Sequence, residues 1–353
     1  MKTTVATSTG ANPTEAHTIR GVVLDAVQRL DVRNVPAPEP APGEAIVRLR
    51  AAALNHRDVW IKQGQYAGLK FPIIPGSDGA GVVSRLGPGV AADWAGKEVT
   101  INPGIDWGDD PRAQSGRFSI LGLPRDGTLA EEVTVPVSNL HPKPVHLDWP
   151  HAAALPLAGL TAYRALFSRA QLRPGEKALI TGVGGGVALF ALQFAVAHGA
   201  QVWITTGSPE KLARAKEIGA QGGANYRDSD WARKLENDAG RFDVIVDSAG
   251  GPGFLQLVDL AAPGGRITFF GATAGDPPGL PQRKIFWRQL SLLGSTMGSP
   301  GDFAAMLDFV NRRRLTPVLG GSFPLEQAAA AFALMEQGGQ FGKIVLTLPG
   351  TVP

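Results

Sequence analysis

The chain of 353 residues contains no cysteine. That absence excludes disulfides, a cysteine nucleophile, iron–sulfur clusters and thiolate-bound zinc together. It agrees with a reducing compartment, and a cytoplasmic location is expected. A surplus of one charge sign is lacking too, since 34 basic residues stand against 31 acidic ones. So small an excess argues against a nucleic acid or a membrane surface as partner. No apolar run is long enough to span a bilayer. The stretch from Met1 to His17 is polar and rich in Thr, without the apolar stretch of a secretory signal, and reads as a disordered tail. Tyrosine is scarce, with only Tyr66, Tyr163 and Tyr226, so candidates for a phenolic acid are few.

The texture of the sequence changes near residue 150. Before it, Pro and Gly are dense and short β-branched runs lie between them. Thr18–Leu24, Glu44–Leu54, Gly79–Leu86, Lys97–Ile101 and Thr128–Val135 read as strands of an antiparallel, partly barrel-like module. From about Trp149 to Ser295, strand and helix alternate. Strands are expected at Lys177–Thr181, Gln201–Thr206, Phe242–Asp247, Arg266–Gly271 and Ser291–Ser295. Helices are expected at Gly186–His198, Pro209–Ile218, Trp231–Asp238 and Phe254–Ala261. This alternation predicts an α/β unit with a parallel sheet covered on both faces. Helices Asp302–Arg313 and Leu325–Gln337 and a strand Lys343–Leu348 follow. They are expected to return to the first module, giving one unit of 18–150 plus 300–353 and an inserted one of 151–299.

The strongest motif is the apolar run from Lys177 into the cluster Gly182, Gly184, Gly185 and Gly186, followed by Val187, Ala188 and a helical stretch. Glycines let a backbone approach a pyrophosphate closely, and a helix N-terminus offers free N–H groups to its charge. The best frame is Gly182, Gly185 and Ala188, which departs from strict G-x-G-x-x-G. The surrounding strand–helix units make a dinucleotide site the favoured interpretation over a packing turn. The next strand ends at Thr206 without an acid to hold a ribose 2′-hydroxyl. Gly207 and Ser208 leave room for a 2′-phosphate, with Lys211 in reach, which favours NADPH. Lys211 could equally be a solvated helix residue. The turns at Asp247 to Gly251 and at Phe270 to Ala272 follow later strands and are expected to line the cofactor. Asp247 is as well suited to capping the next helix.

Five segments together resemble the medium-chain dehydrogenase/reductases, in their zinc-less quinone oxidoreductase branch. They are Ala53–Trp60, Pro75–Val83, Ala153–Tyr163, the Gly182 loop and Phe341–Val345. The resemblance implies a GroES-like catalytic domain, an inserted Rossmann domain, a cleft between them, and a homodimer or homotetramer. It implies that Lys211 and Tyr226 flank the 2′-phosphate. It implies cofactor contacts from Thr161, Ser248, Ser295, Thr296, Met297 and Lys343, the last toward a phosphate or the carboxamide. Zinc-dependent members hold their metal with a Cys, a Gly-His-Glu motif and a second Cys. Those places match Asn55, Gly76-Ser77-Asp78 and about Leu157. Neither thiolate nor imidazole stands there, so no metal is expected. Segment 102–126 falls where the structural-zinc lobe would be and reads as a lid or as a surface loop.

Hydride transfer asks a protein for position, polarity and exclusion of water rather than for covalent help. Asn55, His56, Asp58 and Tyr66 are the candidate catalytic residues. Asn55 could bond the nicotinamide or its ribose, and His56 a phosphate or the substrate oxygen. Asp58 is a candidate too, though a cap or a partner of Arg57 suits it better. Tyr66 could be an acid or a stacking surface, and Trp60 and Trp107 could stack on a flat ring. Three functions fit: reduction of a quinone or similar activated carbonyl, reduction of an enone or enoyl thioester, and NADPH-regulated RNA binding. The last has only the cluster Arg312 to Arg314 in its favour.

Overall fold

The computed structural model describes residues 17–349. Of the expected tail, Met1 to His17, all but His17 lies outside the described residues. The first module is built on a seven-stranded sheet. Across it run Leu319–Pro324, Lys343–Thr347, Glu44–Ala53, Asp78–Leu86, Glu98–Ile101 and Leu140–Pro142, with Glu132–Pro136 paired to the start of Glu44–Ala53. The expected strand Thr128–Val135 enters this sheet only from Glu132. Before that, Thr128 and Leu129 donate their N–H groups to the carbonyls of Gly76 and Pro75. A β-carbon on Gly127 would lie 1.9 Å from the Gly76 carbonyl oxygen, so this crossing tolerates no side chain. The crossing fixes the segment that leads into Ser77 and Asp78.

Thr18–Ala26 pairs with Arg29–Pro36 in a hairpin beside this sheet. The second of these strands escapes the sequence reading because Arg, Asp and Asn interrupt its β-branched residues. Its residues are by turns exposed and half-buried, and none is fully buried.

The second sheet is parallel and has six strands, in the order Gly222–Asn225, Gln201–Thr206, Lys177–Ile180, Phe242–Asp247, Ala261–Phe269 and Ser291–Gly294. Its chain order reverses between Lys177–Ile180 and Phe242–Asp247. A crevice opens beyond the carboxyl ends of the strands at such a reversal. Helices Gly186–His198, Pro209–Ile218 and Trp231–Ala239 begin and end within one residue of expectation. Their boundaries are written in the sequence: Ser208 caps one with its hydroxyl, and Gly199 ends another with a left-handed φ of 93°.

Helix Pro300–Arg313, expected with the first module, packs instead on helix Pro156–Tyr163. Phe303 and Met306 enter the same apolar core as Phe194 of the parallel-sheet unit. The chain rejoins the seven-stranded sheet only at Leu319. Arg164 anchors this packing. Its Nη1 donates to Asp302 Oδ2 at 2.6 Å and to the Pro111 carbonyl at 3.0 Å, and Nη2 donates to the Arg112 carbonyl at 2.8 Å. The guanidinium also lies 5.0 Å from the Trp107 ring centre. One side chain thus fastens segment 102–126 to the nucleotide half. Among the described residues, no helix is long and apolar enough to cross a membrane.

Burial works to raise the Asp302 carboxyl, but Ser168, Ser299 and Arg164 outweigh it and hold it below its ordinary value of 3.8. A depressed carboxylate stabilises the fold above the unfolded value, and that contribution fades as pH falls through the folded one. The stability gap between the wild-type protein and Asp302→Asn, read from urea midpoints, is therefore expected to close below pH 3.8. A gap that persists in acid would place the stabilisation in packing rather than in charge.

Candidate active site

A cavity of about 1420 Å³ lies between the two sheets. That exceeds the roughly 300–1,000 Å³ usual for a small-ligand pocket, so a dinucleotide and a second molecule fit together. Its floor is the glycine loop. Gly182 has φ 65° and Gly184 φ 140°, values that favour glycine, and Gly185 precedes helix Gly186–His198 with no side chain capping the first turn. The first N–H groups of that helix therefore point into the cavity unpaired by any cap. The amide oxygen of Gln340, in the same wall, is buried without a hydrogen-bond partner. The loop and this orphaned acceptor fit a phosphate-bearing, hydrogen-bonding ligand.

Most residues expected against the cofactor meet at this cavity. Gly182, Gly184, Gly185, Gly186 and Val187 form the loop and first helical turn. Thr206, Ser208, Lys211 and Tyr226 gather at one end, and Thr161, Ser248, Phe270, Gly271, Thr296 and Met297 along the walls. Ala272 and Ser295 do not line it. Ala272 packs its Cα against Gly250, and Ser295 lies half-buried with its N–H bonded to the Phe269 carbonyl. Asp247 is committed to structure, accepting from Thr181 Oγ1 at 2.5 Å and from Gly250 N at 2.8 Å.

At the corner beyond Thr206, the sequence reading missed Arg227. Its Nε would lie 3.0 Å from a β-carbon on Gly207, beside the Tyr226 hydroxyl. A basic residue directly after Tyr226 was the available signal. Burial, with Arg214 and Arg227 nearby, holds the Lys211 ammonium below its usual range. Lys211 Nζ donates to the Gly338 carbonyl at 2.8 Å. Ser208 donates its hydroxyl to Glu210 rather than leaving it free.

The opposite end holds Asn55, His56 and Tyr66, with Trp60 half-buried beside them. His56 faces the cavity. The protein around it, and the Lys343 ammonium, hold its imidazole below the ordinary 6.5. Arg57 was passed over as a mere partner of Asp58, yet its guanidinium belongs to the cavity wall. Nη1 donates to Ser77 Oγ at 2.7 Å and to the Leu121 carbonyl at 2.9 Å, and Nε reaches the Tyr66 hydroxyl at 3.4 Å.

Three expectations are corrected. Asp58 is fully enclosed and outside the cavity wall; its carboxylate accepts from Asn55 N at 2.8 Å and Gly76 N at 3.2 Å. Burial pushes that carboxyl up, while Arg57 and the Asn55 N–H pull it back. It organises the backbone and is enclosed away from the cavity. Trp107 is buried against Phe118, away from the cavity. Lys343 has no donor to spare for a phosphate or carboxamide. Its ammonium donates to the Leu54 carbonyl at 2.7 Å, Asn55 Oδ1 at 2.6 Å and Asp78 Oδ2 at 2.8 Å, and an ammonium has three hydrogens.

Asn55, Asp78 and Leu157, matched by resemblance to metal-ligand places, do converge. Asn55 Nδ2 donates to Asp78 Oδ2 at 2.9 Å and Leu157 N to Asp78 Oδ1 at 2.8 Å. The donors do not fit zinc, which takes thiolate, imidazole or free carboxylate. Here one carboxylate is present, and it is already bonded to an ammonium, an amide and a backbone N–H.

Two family models match the chain. "Alcohol dehydrogenase GroES-like domain" covers residues 41–145, and "Zinc-binding dehydrogenase" covers residues 186–312. A zinc-type alcohol dehydrogenase-like protein YogA of Leptosphaeria maculans is 34% identical over 90% of this chain and 94% of its own length. A quinone oxidoreductase of Rattus norvegicus is 29% identical over 89% and 92%. The crystal structure of an NAD-dependent alcohol dehydrogenase is similar at a TM-score of 0.87, with 42% identity over 93% of this chain and 99% of that one. With this fold, this cavity and these relatives, the chain belongs to the medium-chain dehydrogenase/reductase superfamily of nicotinamide-dependent oxidoreductases.

Proposed function

We propose that the protein is a zinc-independent, NADPH-dependent oxidoreductase that reduces a quinone or a similarly activated carbonyl. The observation that carries this is one continuous cavity joining a cationic nucleotide corner to a wall of hydrogen-bonding groups, Asn55, His56 and Tyr66, backed by Arg57. Lys211 and Arg227 line the corner and Arg214 stands near; burial first, then repulsion from these two arginines, lowers Lys211, and a phosphate dianion would relieve the repulsion. Glu210 is exposed and its bond to Ser208 can open toward solvent, freeing the hydroxyl for the phosphate. One solved relative is called NAD-dependent; for this chain the cofactor is argued from its own corner.

The bound cofactor supplies the hydride. The protein supplies the rest. Arg57 donates toward the Tyr66 oxygen, which leaves the phenol O–H free to donate toward an acceptor oxygen. His56, kept neutral, offers a second donor at the same end. Hydrogen bonds aimed at a developing oxyanion contribute most where water is excluded, and a quinone or activated carbonyl needs little more.

NADPH oxidation by chelator-treated protein is expected to proceed with a simple quinone, followed at 340 nm. Turnover lost on chelation and restored by zinc would overturn the zinc-independent part. Lys211→Glu is expected to weaken NADPH by about tenfold or more, with little change for NADH, because one ion pair with phosphate becomes a repulsion. Equal loss for both dinucleotides, measured by fluorescence titration, would displace the 2′-phosphate from this corner.

A homodimer or homotetramer belongs to the same proposal. Ser291–Gly294 is an open edge of the parallel sheet, and Phe286 and Trp287 just before it are 63% and 82% exposed. Edge strands and exposed aromatics of this kind are commonly covered by a second copy. Trp287→Glu is expected to shift the protein toward monomer in sedimentation velocity. A wild-type protein that is monomeric at micromolar concentration would remove the proposal.

A further inference from the structure

Lys343 poses a question that hydride chemistry does not answer. Its side chain is 4% exposed and that of Asp78 is 0% exposed, yet neither is free to touch a ligand with its charge. The lysine stem passes close beneath the first helical residue, where a β-carbon on Gly186 would lie 2.8 Å from Lys343 Cδ. The ammonium ends among three oxygens, Leu54 O, Asn55 Oδ1 and Asp78 Oδ2, at 2.6–2.8 Å. The other Asp78 oxygen and the Asn55 amide nitrogen are held by Leu157 N and Asp78 itself. The result is an oxygen cage around one positive charge, at the convergence of the places where zinc-dependent relatives are expected to hold their metal.

We propose that the Lys343 ammonium is a resident cation that takes a metal's place and keeps divalent ions out. This deepens the zinc-independent part of the proposed function. Metal exclusion then rests on occupancy as well as on the missing thiolates. Two charges of like sign do not share one cage, and the nearby Asp58 carboxylate is already committed to the Asn55 and Gly76 N–H groups. Calcium-type ions bind oxygens at about 2.3–2.6 Å, so a contraction of a few tenths of an ångström would let these same oxygens serve a hard cation once the ammonium is gone. Lys343 is in this sense a positioning residue. It orients the Asn55 amide through a bond to Oδ1, and it ties the segment after Gly342 to the segment before helix His56–Lys62.

The test replaces Lys343 by Met, which keeps the stem and removes the charge. Mn²⁺ uptake by the full-length protein is measured from the loss of the free-ion EPR signal, with no cofactor or acceptor present. Wild type is expected to take up no stoichiometric Mn²⁺ or Zn²⁺ at this place. Lys343→Met is expected to bind one Mn²⁺ at least about tenfold more tightly than wild type, as an oxygen cage with its carboxylate freed would. Adding Asp78→Asn to that variant should remove the gain. If Lys343→Met does not fold alone, refolding by Mn²⁺ or Ca²⁺ supports the proposal, and failure to refold with either overturns it. A folded Lys343→Met that binds no more metal than wild type overturns it as well. So does a wild-type protein holding one zinc that Asp78→Asn releases. Because uptake is read without turnover, failure of quinone reduction leaves this result untouched, and failure here leaves the choice of acceptor open.

Discussion

A charge placed inside a protein must find a counter-charge and fill its remaining hydrogen bonds, or it costs more than the fold can spare. The Lys343–Asp78 pair is where this chain meets that demand, and much of the candidate site follows from it. The strand Lys343–Thr347 begins at this lysine, the strand Asp78–Leu86 at the aspartate, and both lie in one sheet with Glu44–Ala53 between them. Asn55 is turned by the pair, Leu157 is bonded to it, and the glycine loop sits against the lysine stem and bonds Gly342 N through the Gly184 carbonyl at 3.1 Å. Removing one member of such a buried pair costs about 3–5 kcal/mol, so the site is rigid at its junction and open at its two ends.

The two ends differ in kind. At the nucleotide corner Lys211, Arg214 and Arg227 stand close together, and burial and these neighbours hold the Lys211 ammonium below its usual range. At the acceptor end the groups are neutral or already paired. Arg57 is fixed by Ser77 and Leu121, so its charge serves to hold Tyr66 and the loop behind it rather than to attract anions from a distance.

How much of this was legible in the sequence depends on distance along the chain. The parallel sheet, its helices and the glycine loop were readable because period, breaker and cap all act within a few residues. Helix Gly186–His198 and strand Gln201–Thr206 were placed to the residue for that reason. The hairpin strand Arg29–Pro36 was not, because its neighbours rather than its own residues make it a strand. Lys343 was misread for the opposite reason. The resemblance set it toward a phosphate or the carboxamide, while the partner that claims its charge lies 265 positions away. Asp58 attracted a catalytic role by its residue type, although its place three residues after Asn55 is the local signature of a helix start. Arg227 had only its place after Tyr226 to mark it, and Arg57 became visible only once the cavity wall was assembled.

Segment 102–126 carries a last consequence. Gly104–Ile105 pairs with Ser119–Ile120, so the segment leaves the body and returns to it at one point. Asn102 and Asn139 secure the departure through their amides, and the Gly76–Gly127 crossing secures the return. The length of chain between two neighbouring anchors enters the folding free energy only logarithmically. Within it, Trp107, Pro111 and Arg112 are held by Arg164, so length can change with little effect on the body only in the largely exposed stretch after Arg112, while Ile120 at its base faces the cavity. It is the place where descendants of this chain can change what they admit without relearning how to fold.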